Sequence, residues 1–230
     1  MKKTILLFAI ISVAFSSCTT TVPILKTVAY KGMYNEKPLS VLLMPPINKS
    51  TAVEAKEYFH STLIVPLNNA GFYVIPPFLS MEILKKESAY DSELFLNSSL
   101  TKFGEIFGAD VVLFTIINKW DKTYGRVSVG VEYILKSTKT NETIYDRKGT
   151  INYNTSVSSS GGGLVGALIT VAATSINTAA TKYVDVARVC NNYTLIDLPL
   201  GKYAPLNPKE SEEFAGKNNF TINLNSQSGY

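Results

Sequence analysis

Two short apolar runs, each halted by a pair of prolines, most constrain what this chain can fold into. Val41-Leu42-Leu43-Met44 stops at Pro45-Pro46 and the polar turn Asn48-Lys49-Ser50, and Phe72-Tyr73-Val74-Ile75 stops at Pro76-Pro77. Between them, Ala55, Tyr58, Phe59, Leu63, Leu67 and Ala70 fall on one face of a helix over Thr51 to Ala70. Neither apolar run alternates, so both read as strands buried on two faces, as in the parallel part of a covered sheet. The unit is therefore β-α-β. Thr51-Ala52-Val53-Glu54 has the form of a capping box. Pro66 predicts a kink or division near Val65, and Gly71 stands where a helix ends on a left-handed residue.

Further along, Phe78 to Lys86 reads as a short helix with Ser80 near its start, and Glu87 to Asn97 as a loop. Ser98 or Ser99 opens another helix with Leu100, Phe103, Ile106 and Phe107 on one face, ended by Gly108. Ala109 to Ile117 is a third buried strand, and Gly125 marks a hairpin. Arg126 to Lys136 alternates through Val127, Val129, Val131, Tyr133 and Leu135, and Thr143 to Thr155 through Tyr145, Ile151 and Tyr153. The expected fold class is mixed α/β: a parallel β-α-β core extended by an antiparallel hairpin, with helices packed on the sheet. Residues 38–206 form its single domain, and the polar stretch 207–230 reads as a mobile tail.

The amino terminus reads as a targeting signal over residues 1–17. Lys2 and Lys3 supply the charge and Ile5 to Phe15 the apolar centre, which is too short to span a bilayer. Phe15-Ser16-Ser17-Cys18 resembles the lipobox of bacterial lipoproteins, although leucine is more usual where Phe15 stands. The resemblance implies diacylglycerol on the Cys18 sulfur and an acylated amino terminus, palmitate included. Thr19-Thr20-Thr21-Val22 contains no acid. By resemblance to known sorting rules, that places the protein on the outer membrane, facing the periplasm. Residues 18–37 read as a lipidated cysteine and tether. About twenty residues at ~3.3 Å each reach no more than about 65 Å.

Losing Lys2 and Lys3 with the signal lowers the formal charge from +4 to +2. So small a charge gives no electrostatic footprint for nucleic acid. With Cys18 acylated, Cys190 has no partner within the chain and is either a buried free thiol or an intermolecular disulfide. The one histidine, His60, has no convergent ligands around it in sequence, so no metal or other cofactor is implied. The crevice at the carboxyl ends of the parallel strands would be lined by Pro45, Pro46, Asn48 and Lys49, with no acid–base pair and no nucleophile. Asp110 falls at the opposite strand end.

Gly161-x-Gly163-x-x-Gly166 matches the dinucleotide fingerprint by letter only, because a serine-rich run precedes it and no parallel strand follows. From Gly149 to Thr181 there is no charged residue. Gly162 and Gly166 have the small-residue spacing that brings helices close, and Leu164 and Leu168 fall on one helical face with Val171, Ala172 and Ser175. This stretch packs in the subunit core, at an oligomer interface or on the membrane.

Three blocks of sequence are similar to those of a family of bacterial lipoproteins carrying a domain-of-unknown-function label. They are Val41-Leu42-Leu43-Met44-Pro45-Pro46-x-Asn48-x-Ser50, Pro66-Leu67-x-x-Ala70-Gly71-Phe72-Tyr73-Val74 and Ile106 to Leu113. Gly162 to Gly166 and Leu198-Pro199-x-Gly201-x-Tyr203-x-Pro205 continue the likeness. The resemblance implies a fold related to the TolB amino-terminal domain and to the periplasmic domain of the curli secretion channel CsgG. It also implies a non-catalytic role, in which the protein assembles with itself and with other envelope lipoproteins in a transport or secretion complex. Two alternatives are a regulator of peptidoglycan synthases of the LpoB type, for which the tether is short, and a channel subunit, for which Arg126–Thr155 is the one candidate lipid-facing hairpin.

Overall fold

A computed structural model describes residues 23–123, 126–154, 183–205 and 207–224. Cys18, Gly125, the 161–166 glycine pattern and the contact candidates Gly162, Leu164, Gly166 and Leu168 lie outside the described residues.

The proline-stopped runs form β1 (Ser40–Leu43) and β3 (Tyr73–Val74), which pair in parallel. A two-residue strand, β2 (Ile47–Asn48), follows Pro45-Pro46, and the long β4 (Val111–Thr123) pairs in parallel with both β1 and β2. From β4 the sheet turns antiparallel through β5 (Arg126–Ser137) and β6 (Thr143–Asn154). A further strand, β7 (Asn219–Leu224), lies parallel to β6 at the sheet edge. The order of the seven-stranded sheet is β3-β1-β4-β5-β6-β7, with β2 beside β4. The parallel core and its hairpin extension are those expected from the sequence.

The described helices cover the two halves of this sheet unequally. On one face, Val41, Leu43, Leu113, Val129, Val131 and Leu135 are buried beneath α3 (Ala55–Thr62), α4 (Ile64–Asn69) and α7 (Tyr183–Leu195). On the other, Leu42, Met44, Val112 and Phe114 are buried beneath α5 (Pro77–Lys86) and α6 (Thr101–Phe107). The runs without alternation are thus covered on both sides, and the alternating strands chiefly on one.

Several local expectations change. The helix after β2 divides at Leu63, within two residues of the Val65 region that Pro66 marks. Pro66 cannot donate to the carbonyl four residues back, which belongs to Thr62, the last residue of α3. The capping box does not form: α3 starts at Ala55, and Glu54 makes no side-chain cap. Ile106, expected on the buried face of α6, is exposed. The polar stretch from Asn207 is no free tail up to Leu224, because in β7 Phe220, Ile222 and Leu224 pack against the core.

The tether is also shorter than residues 18–37. Two short helices, α1 (Lys26–Ala29) and α2 (Lys31–Glu36), come directly before Lys37 and bury Tyr30 and Met33. A side chain at Gly32 would meet Ile144 at 2.6 Å, so glycine is what lets α2 lie against β6. Aperiodic composition hid these helices, since each contributes only one or two residues to the core.

Candidate functional site

The turn at the carboxyl ends of the parallel strands is spent on structure. Asn48 Oδ1 accepts from the Ser50 amide at 3.0 Å and from Ser50 Oγ at 2.7 Å, while Asn48 Nδ2 donates to the Ala52 carbonyl at 2.7 Å. Pro45 and Pro46 are buried, and the Pro45 carbonyl accepts from Ser92 Oγ at 2.6 Å. Only Lys49 of the four predicted lining residues is exposed. Asp110 stands at the other end of the strands, as the sequence placed it, and accepts from the Leu39 and Ser40 amides at 2.9 and 3.2 Å. Burial raises its pKa, but these amides, with Lys139 at 3.5 Å, outweigh that and hold the carboxyl below its ordinary range. Its role is to tie β1 to β4.

Of the remaining titratable candidates, Cys190 is buried and His60 half-buried. His60 is pushed below the ordinary imidazole range by burial, with Glu57 pulling the other way. Burial pushes the free Cys190 thiol well up, out of the range of a nucleophile. Among the described residues no group of three or more His, Cys, Asp or Glu could hold a metal ion. The buried polar network beside Cys190 fastens α7: Tyr133 donates its hydroxyl to Asn191, whose Nδ2 reaches the Phe59 carbonyl at 3.0 Å and Thr62 Oγ1 at 2.8 Å.

A cleft of about 390 Å³ opens between α2 and the turn 199–205, floored by Met33, Phe72 and Pro199 with Lys37 and Lys202 at hand. Its one carboxylate, Glu210, already accepts from the Leu200 amide at 2.6 Å and from the Tyr34 hydroxyl at 3.3 Å. Two blocks of the sequence resemblance meet beside this cleft. Gly71 holds φ at +85°, and its carbonyl accepts from the Tyr203 amide at 3.0 Å. A Cβ on Gly71 would meet the Ala204 amide nitrogen at 2.1 Å, and one on Gly201 would meet the Gly71 oxygen at 2.4 Å. The two glycines are therefore paired by a close backbone crossing, a contact between distant segments that no local pattern announces.

The half of the sheet on which no described helix packs at one face carries a different chemistry there. Register aligns Ser128, Asn152 and Asn223, then Gly130, Thr150 and Thr221, then Glu132, Lys148 and Asn219 in rows across β5, β6 and β7. Ser128 Oγ donates to Asn152 Oδ1 at 2.7 Å, Asn152 Nδ2 to Asn223 Oδ1 at 2.8 Å, and Lys148 lies 3.5 Å from Glu132. This face is polar and hydrogen-bonding, unlike the apolar band of a lipid-facing hairpin. Beside it, no described strand pairs with the outer edge of β7. β7 is uncharged and free of proline, so it lacks the usual devices that blunt an edge.

These features define a mixed α/β domain built on one sheet, whose open chemistry lies on a sheet face and edge. The chain belongs to the family described as "Putative lipoprotein GNA1162-like", whose profile matches residues 28–200. It is 26% identical over 156 residues to "Putative lipoprotein NMB1124/NMB1162" of Neisseria meningitidis serogroup B (strain ATCC BAA-335 / MC58), covering 66% of this chain and 72% of that one. The crystal structure of lipoprotein GNA1162 from Neisseria meningitidis superposes with a TM-score of 0.50 at 23% identity, over 62% of this chain and 100% of that one. The PelC dodecamer from Paraburkholderia phytofirmans is more distant, with a TM-score of 0.40 at 12% identity over 68% and 85% of the two chains. The family is one of lipoproteins of unknown function.

Proposed function

We propose that this protein is a lipoprotein acylated at Cys18, held on the outer membrane facing the periplasm, and a non-catalytic assembly component of a cell-envelope transport or secretion complex. The observation that carries the reading is the family match over residues 28–200, which begins ten residues after the cysteine of a lipobox-like sequence. The polar face, and the edge of β7 that no described strand pairs, support assembly, because an edge strand takes a second strand through main-chain hydrogen bonds. A second copy of this chain and other envelope lipoproteins are its partners. Gly162, Leu164, Gly166 and Leu168 are assigned to an oligomer or membrane contact.

Palmitate labelling followed by envelope fractionation tests the anchor. Label lost on Cys18→Ser and recovery with the outer membrane are expected, and a soluble unlabelled product refutes it. For assembly, light scattering and cross-linking of the lipidated protein should show a defined oligomer that Gly162→Leu and Gly166→Leu weaken. A strict monomer, alone and with the lipoproteins that co-purify from its own envelope, refutes it.

A further inference from the structure

The amino-terminal segment leaves the fold through an exposed apolar patch. Lys26 donates its amide to the Glu213 carbonyl at 2.9 Å, and Ala215 donates its own to the Ile24 carbonyl at 2.7 Å. Leu25 and Phe214 thereby face each other as an antiparallel bridge, with side chains emerging on one side. Val28, one helical turn beyond Leu25, continues that side. Ile24, Val28 and Phe214 are 53%, 66% and 58% exposed, and Leu25 is 36% exposed. The patch belongs to the rigid domain rather than to the tether. Tyr30 at 2% and Met33 at 4% exposure root its helices in the core, and Lys26 Nζ pairs with Glu213 at 2.8 Å. Asp197, which accepts the Tyr30 hydroxyl, also accepts the Gly216 amide at 2.8 Å.

We infer that this patch is a membrane contact, resting the domain on the bilayer that holds the acyl chains of Cys18. The inference rests on the anchoring reading above. Six residue steps separate Cys18 from Ile24, which at ~3.3–3.6 Å per step is about 20 Å. A domain on so short a leash meets the bilayer surface as an intramolecular partner, at an effective concentration that short linkers bring to about millimolar. Of all its surfaces, the one at the leash's own exit is brought nearest, and that one is apolar. Bilayer-surface contacts of this kind bury apolar side chains to a depth of about 5–10 Å. The contact fixes which end of the sheet faces the lipid. The helices that carry the patch pack through Tyr30 and Gly32 on Tyr145 and Ile144 at the start of β6, and β6 runs parallel to β4 and β1, so the amino ends of the parallel strands are the membrane side. The Asn48 turn and Lys49 then point away, toward partners.

The test places one tryptophan at a time in chains carrying Trp120→Phe, purified from envelopes and returned to phosphatidylethanolamine–phosphatidylglycerol vesicles brominated in the acyl chains. Val28→Trp reports from the patch. Val53→Trp reports from a site that is 79% exposed and follows the Asn48 turn at the opposite end of the sheet. Bromolipid should quench the first about two-fold or more and leave the second unchanged, and about 0.5 M salt should not release it, because the contact is apolar. Adding Phe214→Ser should lower the quenching. Equal quenching at the two positions, or quenching lost in salt, overturns the inference. Mass measurement of the purified chain reads acylation separately. If no acyl chain is present, the anchoring reading fails on its own. The patch is then tested by coupling Cys18 to a maleimide phospholipid, which the buried Cys190 thiol does not compete for, and the same two outcomes decide it.

Discussion

The two halves of the sheet differ in how many of their faces the described residues cover. In the parallel half, Leu42 and Leu43 are neighbours in β1, point to opposite faces, and are both fully buried. In the antiparallel half, Val129 is fully buried, while the other face of β5 and β6 is mixed: Glu132, Thr150 and Asn152 are not buried, and Ser128 and Gly130 beside them are. One half is therefore held by apolar packing on both sides, and the other by packing on one side and a hydrogen-bonded ladder on the other. The parallel half supplies rigidity. The antiparallel half supplies surface.

The sharpest test of that contrast compares two positions on the same sheet face. Phe114→Ala in β4 should cost about 3–5 kcal/mol, because the ring is fully buried between the sheet and α6. Asn152→Ala, two strands away, should cost about 1 kcal/mol, because Asn152 is only half-buried and its partner Asn223 is exposed and finds water instead. Urea unfolding of the two variants measures both. Similar losses would mean that the second face of the antiparallel half is covered as well.

On the shared covered face, Asn191→Ala should rank second, at about 2–3 kcal/mol. It leaves the Tyr133 hydroxyl without its acceptor where water cannot reach, while Thr62 keeps its bond to the Tyr58 carbonyl at 2.7 Å. Thermal unfolding reads the loss. Tyr133→Phe added to it should recover part of the stability by removing one stranded donor.

Asp110 marks the seam at which β1 joins β4. Its folded pKa lies below its ordinary value, so the unfolded chain binds a proton more readily. Its contribution is complete above about pH 4, where the unfolded carboxylate is ionised, and is lost as pH falls through the folded pKa. Asp110→Asn should therefore cost about 1 kcal/mol at neutral pH and progressively less below pH ~4. A difference constant with pH would show that the amide bonds, not the charge, carry the seam.

What the sequence made legible follows the same division. Burial on two faces writes an unbroken apolar run, and burial on one face writes alternation, so β1, β4, β5 and β6 could be read directly. Asn219–Leu224 alternates too, yet its Asn and Thr residues and its place beside a polar terminus masked it as a strand. The helices at Lys26–Glu36 left no period, because four- and six-residue helices bury too few side chains to make one. The Gly71–Gly201 crossing and the Leu25–Phe214 bridge join residues far apart in sequence. Neither glycine spacing nor hydropathy records such a contact. Of the surfaces assigned to function, the turn at Asn48 was visible, but as a potential crevice rather than the filled turn it is. The bare face appeared only once register aligned its rows.

The smallest expected effect concerns how the antiparallel half is closed at its β7 end. There the chain is held by the pairing of residues 24–26 with 213–215 and by Arg147, whose guanidinium lies 4.7 Å from the centre of the Phe220 ring. The hydrogen bond from Lys26 holds Glu213 below its ordinary range, against a smaller opposing effect of burial. Because Glu213 is 42% exposed in its side chain, solvent screening limits the pair to no more than about 1 kcal/mol. Lys26→Met keeps the buried stem and removes the charge. Exchange of the Ala215 amide, which donates to Ile24, should then quicken about five-fold, the equivalent of about 1 kcal/mol, while the amide of Val129 in the sheet centre keeps its rate. The sign with pH follows from the lowered pKa: the difference between wild type and variant is full above about pH 4.3 and fades as pH falls through the folded value. Equal quickening at both amides would mean that the clasp and the sheet open together, making the terminal segments part of one cooperative unit with the parallel half.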